Sequence, residues 1–263
     1  MSGAAQPALF APPQPAGHIL SVRLTSPQQA KPILRALLAL DVGDHTLVGL
    51  GITFVSALGG SVPDLRAYPA LAHADGKPLP VAPADVWVSV TGADPAIVFA
   101  RVRAFTSTLP GGLAWVEDLA TFGQEDPVAG GPERTIAVAE GPLAGGSFVA
   151  AMRWENNLPQ QPEPAEAAGP SLASLARWAR WGGAERSGLY LACTSADLDA
   201  FEEALRQLLV TGENAPDALF TSSHPTSGGY FWCPPLSGGR LNLVGVLPSG
   251  GVDALPDIEV APG

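Results

Sequence analysis

The sequence predicts an α+β chain built from two tandem ferredoxin-like units, closing as a double α+β sandwich or an α+β barrel. Three observations carry this expectation. Short apolar stretches of strand length alternate with segments of helical periodicity. Over residues 16–122 they follow the order β-α-β-β-α-β, and a second set of similar stretches occupies residues 123–248. Residues 1–15 and 249–263 remain outside both units and are expected as flexible tails.

In the first unit, His18 to Leu24 alternates as a strand does. Ser26-Pro27 supplies an N-cap and a proline at the first helical position, before a helical pattern from Gln28 to Leu40. Thr46 to Gly51 is a second strand, and Ile52 to Leu58 a short helix. A Pro-rich loop covers residues 59–84. Asp85 to Val90 is a third strand, Asp94-Pro95 opens a helix to Leu109, and Leu113 to Leu119 is a fourth strand. The second unit begins with a strand from Ser147 to Trp154. Leu158 to Pro170 is rich in Pro, Glu, Gln and Ala and reads as a linker or surface loop. Gly188 to Thr194 is a strand, Ser195 to Leu198 resembles a capped start of a helix to Val210, and Gly229 to Cys233 is the last strand.

Composition bounds the function. The chain has 263 residues, 25 acidic and 14 basic, for a net charge of −11. It is 46% hydrophobic and 15% charged, too apolar for general disorder and too acidic for a dedicated nucleic-acid binder. Cys193 and Cys233 are its only cysteines, with no Cys-x-x-Cys between them, and are expected as buried reduced thiols. No stretch reaches transmembrane length, and the Pro-rich start lacks the basic and apolar regions of a signal peptide. A cytoplasmic protein without membrane or nucleic-acid partners is therefore expected. None of Gly59-Gly60, Gly130-Gly131 and Gly182-Gly183 has phosphate-loop spacing, and no His/Cys/Asp cluster has metal spacing. Glu202 and Glu203 read as solvated helix carboxylates. Core packing accounts for Trp115, Trp154, Trp178, Trp181 and Trp232.

Several stretches resemble the dye-decolourising peroxidases of bacteria. They are Leu47 to Gly51, Ala84 to Trp87, Gly145 to Val149 with Arg153-Trp154, Gly188 to Leu191, Asp199 to Glu202, Asp217 to Phe220 and His224 to Pro235, in that order along residues 16–245. The resemblance implies two ferredoxin-like domains related to the chlorite dismutase fold, a haem b pocket in the C-terminal half and peroxide-driven oxidation of bulky organic substrates. It also implies a proximal histidine on the iron, a distal aspartate that moves the peroxide proton and a distal arginine that stabilises charge.

These residues carry over unevenly. Gly123-Gln124-Glu125-Asp126 matches the aspartate motif as far as Asp126, after which Pro127 replaces a glycine; a turn aspartate in a surface loop is the preferred reading. The best register sets Ala176 on the arginine position and Arg177 one residue later, on the opposite face of a strand, where a surface arginine is preferred. Residues 155–188, the place of the proximal ligand, contain no histidine and are shorter than in the family. His224 is the candidate ligand in the C-terminal half; its alternative role is to brace the turn at Pro225. Tyr190 and Cys233 lie within strands.

Three functions follow as expectations. The first is a haem-free, non-catalytic relative of the peroxidases, acting as a scaffold or interaction protein, with a homo-oligomer or a protein partner. The second is a haem-dependent peroxidase with an unusual site built on Asp126, Arg177 and His224. The third is a small-molecule binder that reuses the former haem pocket.

Overall fold

Eight antiparallel strands close into one barrel in the computed structural model, which describes residues 3–69, 83–126, 137–138, 140–157, 176–183, 185–210, 219 and 222–248. The strands are β1 (Ala16–Arg23), β2 (Thr46–Leu50), β3 (Val86–Gly92), β4 (Ala114–Glu125), β5 (Ser147–Asn156), β6 (Arg177–Gly182), β7 (Ser187–Ser195) and β8 (Ser223–Cys233). Their order around the barrel is β1-β3-β2-β8-β5-β7-β6-β4. The N-terminal half therefore runs β4-β1-β3-β2 and the C-terminal half β8-β5-β7-β6, the same order counted from the first strand of each half. Two seams join the halves. Leu50 pairs with Trp232 between β2 and β8, and Thr121 pairs with Trp181 between β4 and β6.

The side-chain alternation of the strands separates two apolar layers. Inside the barrel, every strand contributes an inward residue: Ile19, Leu47, Trp87, Leu119, Val149, Trp181, Tyr190 and Phe231. The opposite faces of the same strands, including Leu20, Val48, Val88, Met152, Leu191 and Tyr230, join an outer layer beneath the helices. Most strands are buried on both faces, which is why they read as near-continuous apolar runs.

Helices α1 (Ala30–Ala39), α2 (Ile52–Ala57), α3 (Pro95–Thr106) and α4 (Asp199–Val210) lie among the described residues. Helix α1 buries Ala30, Ile33, Leu34 and Leu37, one stripe at helical spacing. Ile33, Leu34 and Leu37 are 0% exposed. Burial stabilises such side chains by about 1.5–3 kcal/mol each. A 3₁₀ turn at Pro27–Gln29 precedes it, and Ser26 with Gln29 forms a capping box there. Asp94 caps α3 by accepting from the Ala96 N–H at 2.8 Å.

Several expectations are corrected. Residues 3–15 are packed against the barrel rather than forming a tail: Ala4 bridges to Leu236, and Leu9 is 1% exposed in the inner layer. The Gln6 amide mimics a strand neighbour, donating to the Val48 and Pro234 carbonyls and accepting from the Val48 N–H, each at 2.9 Å. Strand β4 runs six residues beyond Leu119, and β8 begins at Ser223 rather than Gly229. Trp115 is 46% exposed, so core packing does not account for it. Trp154, Trp181 and Trp232 are buried, as are both cysteines, which are free thiols. No described helix is long and apolar enough to cross a membrane. His73, the Leu158–Pro170 linker, Gly130-Gly131 and residues 249–263 lie outside the described residues.

Candidate functional site

Asp126 stands one residue past the end of β4, and Arg177 opens β6. These strands pair antiparallel with Glu125 opposite Trp178, so the next step of the register sets Asp126 opposite Arg177. Arg177 Nε donates to Asp126 Oδ2 at 2.7 Å, and its Nη1 donates to the Ala8 carbonyl at 3.0 Å. Neither is the surface residue the sequence favours; their side chains are 18% and 11% exposed. Arg177 lines the inside of the barrel with Tyr190 and Ala192. Ala176, one residue earlier, is buried in the outer layer. The pair can hold the N-terminal segment in place and present a guanidinium to the barrel interior.

The interior contains a second polar group. Glu117 on β4 is 5% exposed and accepts from the Ser227 hydroxyl of β8 at 2.6 Å. Tyr190 accepts a hydrogen bond from Trp87 Nε1 at 2.9 Å. Burial and then the neighbouring Glu117 charge push the Tyr190 phenol well above its ordinary value. Arg153 crosses over the Trp181 ring at 5.4 Å and donates to the Thr226 hydroxyl at 2.9 Å. These groups tie opposite strands of the barrel together.

The outer face of β5, β7 and β8 is where the strand register turns Ala176, and it is covered by the first half of the chain. The Tyr68 ring lies 4.9 Å from the Tyr230 ring, and its hydroxyl donates to Met152 Sδ at 3.5 Å. Phe201 of α4 meets Tyr230 edge-on at 6.0 Å. Gly228 admits this packing, since a Cβ there would stand 3.0 Å from the Tyr68 ring. Arg66 fastens the same segment: it donates to Asp199 at 2.6 Å and to Glu202 at 2.7 Å. Glu202 also accepts from Arg206 at 2.7 Å. Glu202 is 6% exposed, not the solvated carboxylate expected of it. Burial raises its pKa, but the Arg66 hydrogen bond and charge, with Arg206, outweigh that and leave it below the usual carboxylate value.

His224 does not join Asp126 and Arg177. It lies inside β8 rather than before it, is exposed, and its Nδ1 meets Asn157 Oδ1 at 2.8 Å. His18 is paired with Asp118 at 2.6 Å, and His45 with Asp44 at 2.9 Å. No group of three or more His, Cys, Asp or Glu among the described residues could hold a metal ion. Tyr68, Phe201 and Met152 pack around Tyr230 on the outer face, Arg177 points to the inner face, and His224 is engaged by Asn157.

The barrel has close counterparts among solved structures. A dye-decolourising protein from V. cholerae superposes with a TM-score of 0.68 at 18% identity, over 88% of this chain and 97% of the other. A haem complex of a Rhodococcus jostii RHA1 DypB variant gives 0.71 at 16% identity, over 89% and 97%. The encapsulated Dyp-type peroxidase of Mycobacterium smegmatis gives 0.66 at 16% identity, over 89% and 96%.

The chain has the fold of the Dyp-type peroxidases.

No protein-family model and no curated protein sequence matches it. The Dyp-type fold is thus shared with these structures at low sequence identity. Residues that the sequence did not single out, Arg66 and Tyr68, dominate the outer face of the C-terminal half. The available signal was a tyrosine, one of three in the chain, within a Pro-rich loop.

Proposed function

We propose that this chain is a haem-free, non-catalytic relative of the Dyp-type peroxidases, acting as a scaffold or interaction protein. One observation carries the reading: the Tyr68 ring is seated on Tyr230, against Met152 and Phe201, on the outer face of the C-terminal sheet. A haem needs a broad apolar slot with a ligand at the iron, which the resemblance to these peroxidases would make an imidazole. Here the slot's floor is covered by a side chain, and residues 155–188 hold no histidine. In this reading the two halves are tandem ferredoxin-like units, supported by their shared strand order. The Asp126–Arg177 pair then serves to close the barrel end rather than to handle peroxide.

A role in interaction is supported by apolar residues left at the surface. Ile97 and Phe99 on α3 are 49% and 61% exposed, and Phe122 on β4 is 49% exposed. A second copy of the chain is the partner most easily tested, by light scattering during gel filtration. Two buried free thiols support a reducing, cytoplasmic setting. The test of the central reading is the absorption spectrum of protein expressed with haem supplied. The reading predicts no Soret band, and a stoichiometric band with peroxide turnover supports the haem-dependent alternative instead.

A further inference from the structure

The inward positions of the barrel are unequal along its axis. Trp87, Trp181 and Phe231 fill one part of the interior. At the Asp126–Arg177 end the inward residues are smaller, and a cavity lies there, lined by Ser89, Thr91, Thr121, Gln124, Arg177 and Ala192. Gly17 helps to open it, because a Cβ at that position would stand 2.6 Å from Thr121 Oγ1. Ala8 to Pro12 of the N-terminal segment border it from outside.

The lining is donor-rich. The hydroxyls of Ser89, Thr91 and Thr121 have no hydrogen-bond partner among the described residues. The Gln124 carbonyl is used by the Gln14 N–H at 3.0 Å, which leaves its amide N–H groups. A guanidinium has five N–H donors, and Arg177 spends one on Asp126 and one on Ala8. Ser89 and Thr91 are half-buried, and polar groups at such a cavity take water or a ligand as partners. Ile19 and Leu47 supply an apolar wall beside them.

We propose that this end of the barrel binds a short aliphatic monocarboxylate, whose carboxylate meets the free edge of the Arg177 guanidinium and the Ser89, Thr91 and Thr121 hydroxyls. A planar carboxylate suits the guanidinium fork. Asp126 is the reason for a single negative charge: its carboxylate already neutralises Arg177 and repels a dianion. The apolar wall takes the aliphatic body. This site is inside the barrel, on the face of β6 opposite to Ala176, so it stands independently of whether a haem binds the outer face.

The experiment is ligand-observed saturation-transfer NMR on the full chain with acetate, propionate and butyrate as probes, and inorganic phosphate for comparison. The three acids should receive saturation, and an equal concentration of phosphate should not displace them. Arg177→Gln should weaken binding about tenfold or more, the usual effect of losing a charged hydrogen bond. Asp126→Asn should tighten it, since it removes a competing anion. Ala192→Leu should abolish it by filling the space, with an unchanged circular dichroism spectrum. That last variant keeps the test valid if Arg177→Gln fails to fold. No saturation of any acid, equal binding by wild type and a folded Ala192→Leu protein, or displacement of the acids by an equal concentration of phosphate overturns the proposal.

Discussion

Tyr68 lies ring to ring with Tyr230 at 4.9 Å, although 162 residues separate them in the chain (230 − 68). The segment between β2 and β3 is thereby anchored on the sheet of the other half. Tyr68 is 8% exposed, so its removal opens a cavity in the outer layer. Tyr68→Ala should destabilise the protein by about 3–5 kcal/mol, as large-to-small changes at buried aromatic residues do. Urea unfolding followed by far-UV circular dichroism measures this; a loss below about 1 kcal/mol would mean that the ring is not a core residue.

Gly228 tests the same packing from the sheet side. A methyl group there meets the Tyr68 ring at 3.0 Å, which is tight for a buried contact. Gly228→Ala should cost about 1–3 kcal/mol through overpacking. In the Tyr68→Ala background the same substitution should cost much less, because the clash partner is gone. A double-mutant cycle reads that coupling; additive effects would contradict the contact.

The Arg66–Glu202 pair makes stability depend on pH in a defined direction. The folded Glu202 carboxyl has a pKa below its ordinary 4.5, because Arg66 and Arg206 outweigh burial. A depressed folded value means that the unfolded chain binds the proton more tightly. The pair's contribution is therefore full above pH 4.5 and is lost as pH falls through the depressed value. Glu202→Gln should lower the urea midpoint at pH 7, and the difference from wild type should shrink steadily below pH 4.5. A difference that stays constant with pH would assign the effect to packing alone.

Asp126 and Arg177 should behave as a coupled pair. Asp126→Asn leaves a largely shielded guanidinium short of its charge partner, at a cost of about 1–3 kcal/mol. Arg177 also holds the Ala8 carbonyl, so the same change should loosen residues 3–15. Hydrogen exchange at the Ala4 and Leu236 amides, which bond across the two segments, reports this directly. Unaltered exchange there would separate the ion pair from the seating of the N-terminal segment.

The sequence was informative where a local pattern decides the structure. Ser26 and Asp94 mark helix starts through their own caps, and α1 shows its buried stripe in the spacing of Ile33, Leu34 and Leu37. The sequence predicts β8 too short because Ser223 to Gly228 is polar and contains a proline. Pro225 is accommodated where the β5–β8 register shifts between Arg153 and Trp154, a bulge that a single strand does not announce. The sequence also predicts β4 too short. Its outer residues Asp118, Ala120 and Phe122 are exposed, and pairing with β1, with the backbone of Gln14 and Pro15, and with β6 carries the strand on to Glu125.

The site residues divide along the same line. The sequence points to both Asp126 and Arg177, with the face of Arg177 following from strand alternation, but their pairing depends on a register across 51 residues. Glu202 looked solvated because its partner Arg66 lies 136 residues away. Residues 3–15 looked like a tail because Gln6 satisfies backbone groups of β2 and of Pro234 that are distant in sequence.

The most direct measurement is a haem titration of the purified full-length protein, followed by absorption spectroscopy and by haem quantification after gel filtration. With Tyr68 seated on Tyr230, the account predicts no Soret band that co-elutes with the protein and no peroxide-dependent oxidation of a dye. A stoichiometric co-eluting Soret band, lost in His224→Ala, would contradict it.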